Sequence, residues 1–124
     1  MPQKNEFSQL VVQRLPDTGI LVRFRSRRLL LENHVEQARD EMLSLVAPER
    51  LMLVDLTNVE YLSSSALSVL IRTQRELHKL AGDMTLCGLK PEIDEVFRIC
   101  KLDRTFQIYP DLESALGCGP ADAT

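Results

Sequence analysis

The sequence predicts an α/β fold in which helices pack against a mixed β-sheet. Two strand-like segments joined by a short turn come first, which is typical of an antiparallel hairpin. The rest of the chain alternates short apolar runs with segments of helical periodicity, the pattern of parallel strands joined by right-handed helical crossovers. With 124 residues, 44% of them hydrophobic, the chain can bury one sizeable core but not two.

The predicted hairpin comprises strands over residues 8–15 and 20–25. Between them, the Pro-Asp-Thr-Gly segment at 16–19 favours a turn, because proline presets φ and glycine accepts a positive φ. The three leucines at 29–31 indicate a short third strand or the start of a crossover.

Helical spacing of apolar residues predicts a first helix over residues 33–46, with Asn33 as its N-cap. The almost continuously apolar run at 51–56 is typical of a central strand covered on both faces. A longer amphipathic stripe predicts a second helix over 64–80, with Gly82 at its C′ position.

A second apolar run, at 84–89, predicts a strand that lies beside the strand 51–56 and parallel to it. Pro91 fits the first position of a third helix that extends to about Cys100, and acidic residues crowd its first turn. A short strand and a short helix follow, at 106–109 and 111–116.

Composition and charge restrict the classes of function. We expect a single domain over residues 1–116 and a flexible tail of small residues over 117–124. No apolar run reaches the roughly 18 residues of a membrane span, and the start lacks an apolar signal segment, which predicts a cytoplasmic protein. A formal net charge of -3 weighs against nucleic acid as a partner.

The cysteines and histidines give little support for chemistry. Cys87, Cys100 and Cys118 form no CxxC motif, and we expect Cys87 to be a buried small hydrophobic residue. His34 and His78 are far apart and lack a metal-binding context. Because no acid/base pair or glycine-rich phosphate loop is visible either, the sequence predicts neither an enzyme nor a cofactor or metal site.

Arg23, Arg25 and Arg27 alternate in the sequence, and in an extended strand the three would share one face. Two interpretations are open: a solvated face of the sheet, or a basic stripe for an acidic partner surface.

The serines Ser63, Ser64 and Ser65 lie where the loop after a buried strand meets the long helix. Helix capping explains one or two of them, because a serine oxygen accepts a hydrogen bond from an unpaired N–H. A phosphorylation switch is the alternative, since a helix N-terminus favours a phosphate while the phosphate adds roughly two negative charges to the surface. At least one of the three serines should lie in the first helical turn with its hydroxyl near solvent, since three buried serines would leave a switch inaccessible.

Residues 51–116 resemble the STAS domains of bacterial anti-sigma factor antagonists. In that family an apolar strand ends in Asp-Leu-Ser/Thr, and the next helix starts with Asp-Ser-Ser/Thr-Gly-Leu; here residues 53–67 read LVDLTNVEYLSSSAL. The segment Leu102-Asp103-Arg104 and Phe106 match as well, whereas the N-terminal part fits through strand order alone. The resemblance implies the STAS fold, a mixed four- to five-stranded sheet with helices mainly on one face.

By position, the phosphorylatable serine of the family falls on Ser64 and the following Ser/Thr falls on Ser65. Two positions depart from the pattern: Ser63 replaces the aspartate beside the phosphoacceptor, and Ala66 replaces the glycine. The first change removes a charge from the surface that the kinase meets, and the second adds a methyl where a partner backbone could approach.

The resemblance also implies a partner-binding surface around these serines. For the polar residues that follow the strand 51–56, turn formation is the alternative role. We expect this surface to include Thr57 and Asn58, as well as residues 32–34 in the loop before the first helix. The predicted partner-binding residues are Glu32, Asn33, His34, Thr57, Asn58, Ser63, Ser64 and Ser65.

The function implied by the resemblance is partner switching. The unphosphorylated protein would bind an anti-sigma factor with serine kinase activity and a histidine-kinase-like ATPase fold, and so release a sigma factor. Phosphorylation at Ser64 would abolish binding and a phosphatase would restore it, with ATP and Mg²⁺ belonging to the kinase. The alternative is a non-phosphorylated STAS module that assembles or scaffolds a multi-protein complex or transporter, which Ser63 and Ala66 favour.

Overall fold

A computed structural model describes the backbone of residues 10–15, 19–24, 28–29 and 32–117. In chain order, the strands are β1 (Leu10–Arg14), β2 (Gly19–Phe24), β3 (Arg28–Leu29), β4 (Leu51–Asp55), β5 (Tyr61–Leu62), β6 (Asp83–Cys87) and β7 (Gln107–Tyr109). The α-helices are α1 (Glu32–Ser44), α2 (Ser64–Lys79), α3 (Pro91–Ile99) and α4 (Leu112–Gly117), and a short 3₁₀ helix occupies Leu102–Arg104.

The main sheet is mixed and has five strands in the order β1-β2-β4-β6-β7. β1 and β2 form the predicted antiparallel hairpin, and the other neighbouring pairs are parallel. The prediction that β4 and β6 are adjacent, parallel and buried is confirmed, since Leu53 pairs with Thr85 and Val54 pairs with Leu86. Their apolar character follows from this central position, where both faces of each strand are covered.

Helices α1, α2 and α3 cover one face of the sheet, and α4 covers part of the other. The larger core cluster includes Met42 of α1, Leu70 of α2 and Phe97 of α3, packed with Val54 and Leu86 of the sheet. A smaller cluster on the opposite face joins Leu21, Leu53, Cys87 and Ala115. The prediction that helices lie mainly on one face is thus confirmed.

Several element boundaries differ from the predictions. α1 begins at Glu32, so Asn33 lies inside its first turn and is not the N-cap. The predicted third strand is described at Leu29, as part of β3, and residues 30–31 of that prediction lie outside the described residues. β3 pairs in parallel with β5, a strand that local sequence did not indicate because two residues carry no periodicity. Gly117 belongs to α4 rather than to the tail, and residues 118–124 of the expected tail lie outside the described residues.

The predicted C′ role of Gly82 is wrong by one residue. Ala81 has the left-handed conformation, with φ 66°, and Gly82 follows it. The N–H of Gly82 donates to the Leu77 carbonyl at 2.8 Å and that of Ala81 donates to His78 at 3.2 Å, which is a Schellman motif. Gly82 is required for a different reason: a Cβ there would collide with the backbone carbonyl oxygen of Arg50.

We expect Gly82→Ala to lower the free energy of unfolding by about 1–3 kcal/mol, because the loop around Arg50 must shift to admit the methyl group. The matched control is Gly19→Ala, whose Cβ would meet its nearest neighbour at an ordinary 3.4 Å. The control should change stability by less than about 0.5 kcal/mol. Urea unfolding of both variants measures the difference, and equal stability would contradict the close approach.

Candidate functional site

One end of the molecule collects the residues singled out from the sequence. The carboxyl end of β4 leads through residues 56–60 into β5, and β5 leads directly into α2. Because β3 pairs in parallel with β5, the N-termini of α1 and α2 lie at this same end. The predicted common location of residues 32–34 and the serines therefore holds, although residues 32–34 form the first turn of α1 rather than a loop, and their side chains lie outside the described part.

The serines divide between capping and exposure. Ser63 is the N-cap of α2: its backbone is extended, and its Oγ accepts a hydrogen bond from the Ala66 N–H at 3.1 Å. Ser64 and Ser65 are the first two helical residues, and both are exposed. The predicted position of a hydroxyl near solvent in the first helical turn is confirmed, and the serine that caps the helix is not Ser64.

The carboxylate of Asp55 organises the turn after β4. Its side chain is only 7% exposed. One carboxylate oxygen, Oδ1, accepts hydrogen bonds from the Thr57 N–H at 3.0 Å and from the Thr57 hydroxyl at 2.5 Å. The other oxygen accepts one from Arg23 Nε of β2 at 3.0 Å. These bonds fix the direction in which the chain leaves the sheet.

The protonation equilibria of this cluster follow from burial and from these bonds. Burial alone would raise the pKa of Asp55, but hydrogen bonds from Thr57 and the Arg23 guanidinium outweigh it and hold that pKa below its usual value of 3.8. Burial, reinforced by the nearby Asp55 carboxylate, raises the pKa of Cys87 to about 12. The Cys87 thiol is therefore neutral and fully buried, as predicted, and it is not a nucleophile.

Gly88 and Lys90, which follow β6, contact the turn after β4 at Thr57. Lys90 Nζ donates to the Thr57 carbonyl at 2.5 Å. Gly88 has φ +73°, and a Cβ there would collide with the Thr57 hydroxyl oxygen. The N–H of Leu56 also donates to the Cys87 carbonyl at 2.9 Å. The loop after β4 and the loop after β6 are thus in direct contact, and we call the two loops together the platform.

An apolar cleft opens between β5, α2 and α3, next to the serines. Its volume is about 100 Å³, and Leu62, Leu67, Ile93 and Phe97 are among the residues that line it. Tyr61, which also lines the cleft, is 47% exposed. An exposed aromatic ring at the edge of an apolar cleft is typical of a protein-binding surface.

The described residues contain no group of three or more His, Cys, Asp or Glu side chains that could hold a metal ion. In the same part of the chain, no helix is both long enough and apolar enough to cross a membrane.

A model of the STAS domain family matches residues 9–115, which is most of the chain. The chain belongs to the STAS domain family. BtrV of Bordetella bronchiseptica, named as an anti-sigma factor antagonist, is 32% identical over 83 residues, which cover 66% of this chain and 72% of BtrV.

Solved structures with the same fold support this assignment. A STAS domain protein from Planctomyces limnophilus superposes with a TM-score of 0.78 at 26% identity, over 93% of this chain and 98% of that protein. An anti-sigma factor antagonist from Mycobacterium paratuberculosis superposes with a TM-score of 0.70 at 27% identity, over 88% and 91% of the two chains. The STAS fold expected from the resemblance is thus confirmed.

The two departures of this STAS domain from the family pattern are joined by one hydrogen bond. Ser63 supplies the acceptor oxygen of the helix cap and Ala66 supplies the donor N–H. Serine and aspartate cap helices about equally well, so the replacement keeps the cap while it removes a charge. Ala66 is only 5% exposed, so its methyl packs into the core rather than facing a partner, contrary to the sequence expectation.

The structure separates the remaining predicted site residues by role. Thr57 and Asn58 are both exposed, but the Thr57 hydroxyl bonds internally to Asp55, as the turn-forming alternative predicts. Arg23 pairs with Asp55 and so belongs to neither a freely solvated face nor a free basic stripe. Arg25 and Arg27 of that predicted stripe lie outside the described residues.

Sequence reasoning missed the contributions of Arg23, Gly88 and Lys90 to this platform. A glycine directly after an apolar strand was a usable signal for a close backbone approach at Gly88. No local signal exists for the two cations, because each contacts a residue more than 30 positions away.

We expect Asp55→Asn to lower the free energy of unfolding at pH 7 by about 1–3 kcal/mol, because the amide keeps an acceptor for Thr57 but leaves Arg23 without its anion. The pH dependence has a defined sign. Since the folded-state pKa of Asp55 is lowered, its stabilisation is complete above the ordinary value of 3.8 and is lost as pH falls through the lowered one.

Chemical unfolding at pH 7 and pH 3 measures this dependence. The variant should lose less stability than the wild type between the two values, since it lacks this one titrating carboxylate. The control is Asp40→Asn, which alters a carboxylate 73% exposed and should keep the wild-type pH dependence. Identical pH profiles for Asp55→Asn and the wild type would refute the role of Asp55.

Proposed function

We propose that this STAS domain is an anti-sigma factor antagonist that acts by partner switching and is controlled by phosphorylation of Ser64. The unphosphorylated protein binds, in the cytoplasm, an anti-sigma factor with serine kinase activity and thereby frees a sigma factor. The kinase, which carries its own ATP and Mg²⁺, phosphorylates Ser64 and dissociates the complex. A separate phosphatase restores the binding form.

The observation that carries this proposal is the position of Ser64. It is exposed, it is the first residue of α2, and it is not the residue that caps the helix. A kinase can therefore modify its hydroxyl without breaking the Ser63 cap. Family membership and the similarity to BtrV, named as an anti-sigma factor antagonist, support the same function.

The physical basis of the switch is that one negative charge at Ser64 affects two free energies in opposite directions. It stabilises the folded domain slightly and destabilises the complex with the partner. At a helix N-terminus, a negative group is stabilised by about 0.3–1 kcal/mol, because it faces unpaired N–H groups and the positive end of the helix dipole. The same charge inside a protein interface must be desolvated, which costs several kcal/mol unless a partner group neutralises it. Phosphorylation is therefore tolerated by the domain but not by the complex.

The surface around Ser64 offers the contacts that a partner needs. The apolar cleft with Tyr61 at its edge supplies buried area, and the exposed Asn58 and Ser65 supply hydrogen bonds. The first turn of α1, with residues 32–34, completes the proposed interface by its position at the same end of the molecule.

The first experiment identifies the partner by pull-down from a native lysate and mass spectrometry, followed by purification of the recovered anti-sigma factor. We expect Ser64→Asp to weaken binding of that protein at least about 100-fold, because an uncompensated charge enters the interface. Ser64→Ala should bind within about threefold of the wild type, since an exposed hydroxyl contributes little. Isothermal titration calorimetry measures both affinities, and thermal unfolding verifies that both variants fold.

Ser63→Ala is the matched control at the neighbouring position. It removes the cap and should cost about 1 kcal/mol of stability, yet it leaves the Ser64 hydroxyl open to the kinase. Ser63→Asp restores the aspartate of the family pattern and should raise the rate of phosphorylation by the recovered kinase. If folded Ser64→Asp binds as tightly as the wild type, this protein does not switch by phosphorylation.

A second candidate function is favoured by the two departures from the family pattern, because Ser63 lacks the charge of the aspartate beside the phosphoacceptor position. Ser63 and Ala66 replace the family's aspartate and glycine, and both serve the helix cap and the core. A STAS module that assembles or scaffolds a multi-protein complex or transporter would need the helix cap and the core contact but would need no phosphoacceptor. Phosphoproteomics of the native organism distinguishes the two, since only partner switching requires a phosphorylated Ser64.

A further inference from the structure

The exposed side of α2 carries a polar stripe that continues away from the phosphorylation site. We name it the α2 ridge; it comprises Ser65, Ser68, Arg72, Arg75 and Lys79. All five residues are exposed, and they recur at alternating intervals of three and four, which places them on one helical face. The opposite face of the helix is buried and contains Ala66, Val69, Leu70, Thr73, Gln74 and Leu77.

Two cations of the α2 ridge have no partner within the described residues. Lys79 pairs with Glu76 at 3.1 Å. Arg72 and Arg75 form neither an ion pair nor a side-chain hydrogen bond in the described part of the chain. At a spacing of three residues, their side chains start only about 5–6 Å apart on the helix surface. A protein of net charge -3 thus has a local positive site on this helix.

The α2 ridge is continuous with the proposed switch. The ridge begins at Ser65, directly after the proposed phosphoacceptor, and one turn further on Ser68 Oγ donates to the backbone carbonyl of Ser64 at 3.1 Å. From Ser64 to Arg75 the helix rises about 16 Å, at 1.5 Å per residue. A typical interface of about 800 Å² per partner spans such a distance, so one docked protein can cover both ends.

We propose that the α2 ridge binds an acidic surface of the anti-sigma factor, with Arg72 and Arg75 pairing with its carboxylates. This inference rests on the proposed function and extends it by naming the chemistry of the partner surface. Guanidinium groups bind carboxylates through paired hydrogen bonds. The exposed Ser65 hydroxyl can donate to a further acceptor at the start of the ridge, whereas the Ser68 hydroxyl already donates within the helix. An acidic protein surface fits better than nucleic acid, because Glu76 shares this side of the helix and the whole chain is negative.

An acidic partner also agrees with the direction of the switch. Carboxylates bound to Arg72 and Arg75 lie on the same helical face as Ser64, about 12–16 Å further along the helix axis. A phosphate on Ser64 repels these carboxylates, weakly at physiological salt, where the Debye length is about 8 Å, and more strongly at low salt. A basic partner would instead be attracted by that phosphate, and phosphorylation would then strengthen the complex rather than dissociate it.

The test combines a double charge reversal, Arg72→Glu with Arg75→Glu, and a control reversal, Arg14→Glu. Arg14 is an exposed cation of β1, at the end of the sheet opposite to Ser64, and it also has no ion pair among the described residues. The double variant should bind the purified anti-sigma factor at least about tenfold more weakly and with less dependence on salt, because two attractions become repulsions. The control should stay within about twofold of the wild type.

A second measurement does not depend on recovering a partner. The ¹⁵N-labelled protein is titrated with a short end-blocked polyglutamate peptide and followed by amide chemical shifts. We expect shifts confined to α2 around Arg72 and Arg75, abolished by the double reversal and by about 0.5 M salt, which shortens electrostatic range. Equal shifts near Arg14, no shifts on α2, or stronger shifts with an oligonucleotide of equal charge would each overturn the inference.

The outcomes separate this inference from the proposed function. If the folded double variant binds the anti-sigma factor as the wild type does while Ser64→Asp does not, the ridge is not the acidic-surface site and the phosphorylation switch stands. If Ser64→Asp binds normally while the double variant does not, the α2 ridge is the binding site for the acidic surface, and the proposal that phosphorylation of Ser64 controls binding is wrong. If both variants bind normally, the proposed role of the α2 ridge and the proposed control by Ser64 are both wrong.

Discussion

The buried carboxylate of Asp55 is the interaction on which the geometry of the candidate site depends. A carboxylate that is 7% exposed requires partners, and it finds them in Thr57 of its own turn and in Arg23 of the neighbouring strand. Through these bonds the loop after β4 takes a single direction, towards β5 and then into α2. The position of Ser64 therefore depends on an ion pair that it does not itself contact.

The start of α2 shows how one physical property can stabilise a helix and also favour an anion beside it. Unpaired N–H groups at a helix N-terminus need acceptors, and Ser63 supplies one. The same unpaired groups favour negative charge on the next residue, so the fold tolerates a phosphate on Ser64. Because the capping residue, Ser63, and the proposed phosphoacceptor, Ser64, are different residues, modification of Ser64 need not disturb the cap.

Helix α2 also illustrates that net charge describes a partner surface poorly. The chain carries a net charge of -3, which by itself suggests partners of mixed or basic charge. The exposed side of α2 nevertheless presents Arg72 and Arg75 without ion-pair partners among the described residues. Which charges remain available for binding depends on which of them the fold has already paired, and composition does not contain that information.

The sequence by itself determined the order of most elements, the central place of β4 and β6, and the location of a helix cap among three serines. These follow from local physics: hydrophobic periodicity, the conformational limits of proline and glycine, and the hydrogen bonds of serine at a helix start. It also contained the family motif that leads to Ser64.

Only the tertiary structure decided the rest. Local sequence did not predict three kinds of contact: the pairing of β3 with β5, the close approach of Gly82 to Arg50, and the bonds of Arg23 and Lys90 to the turn after β4. In each case the partners are about 30 residues apart, or the pairing is too short to have a period. Such contacts arise when the packed sheet brings distant backbone and charge together, and no propensity of a single segment encodes them.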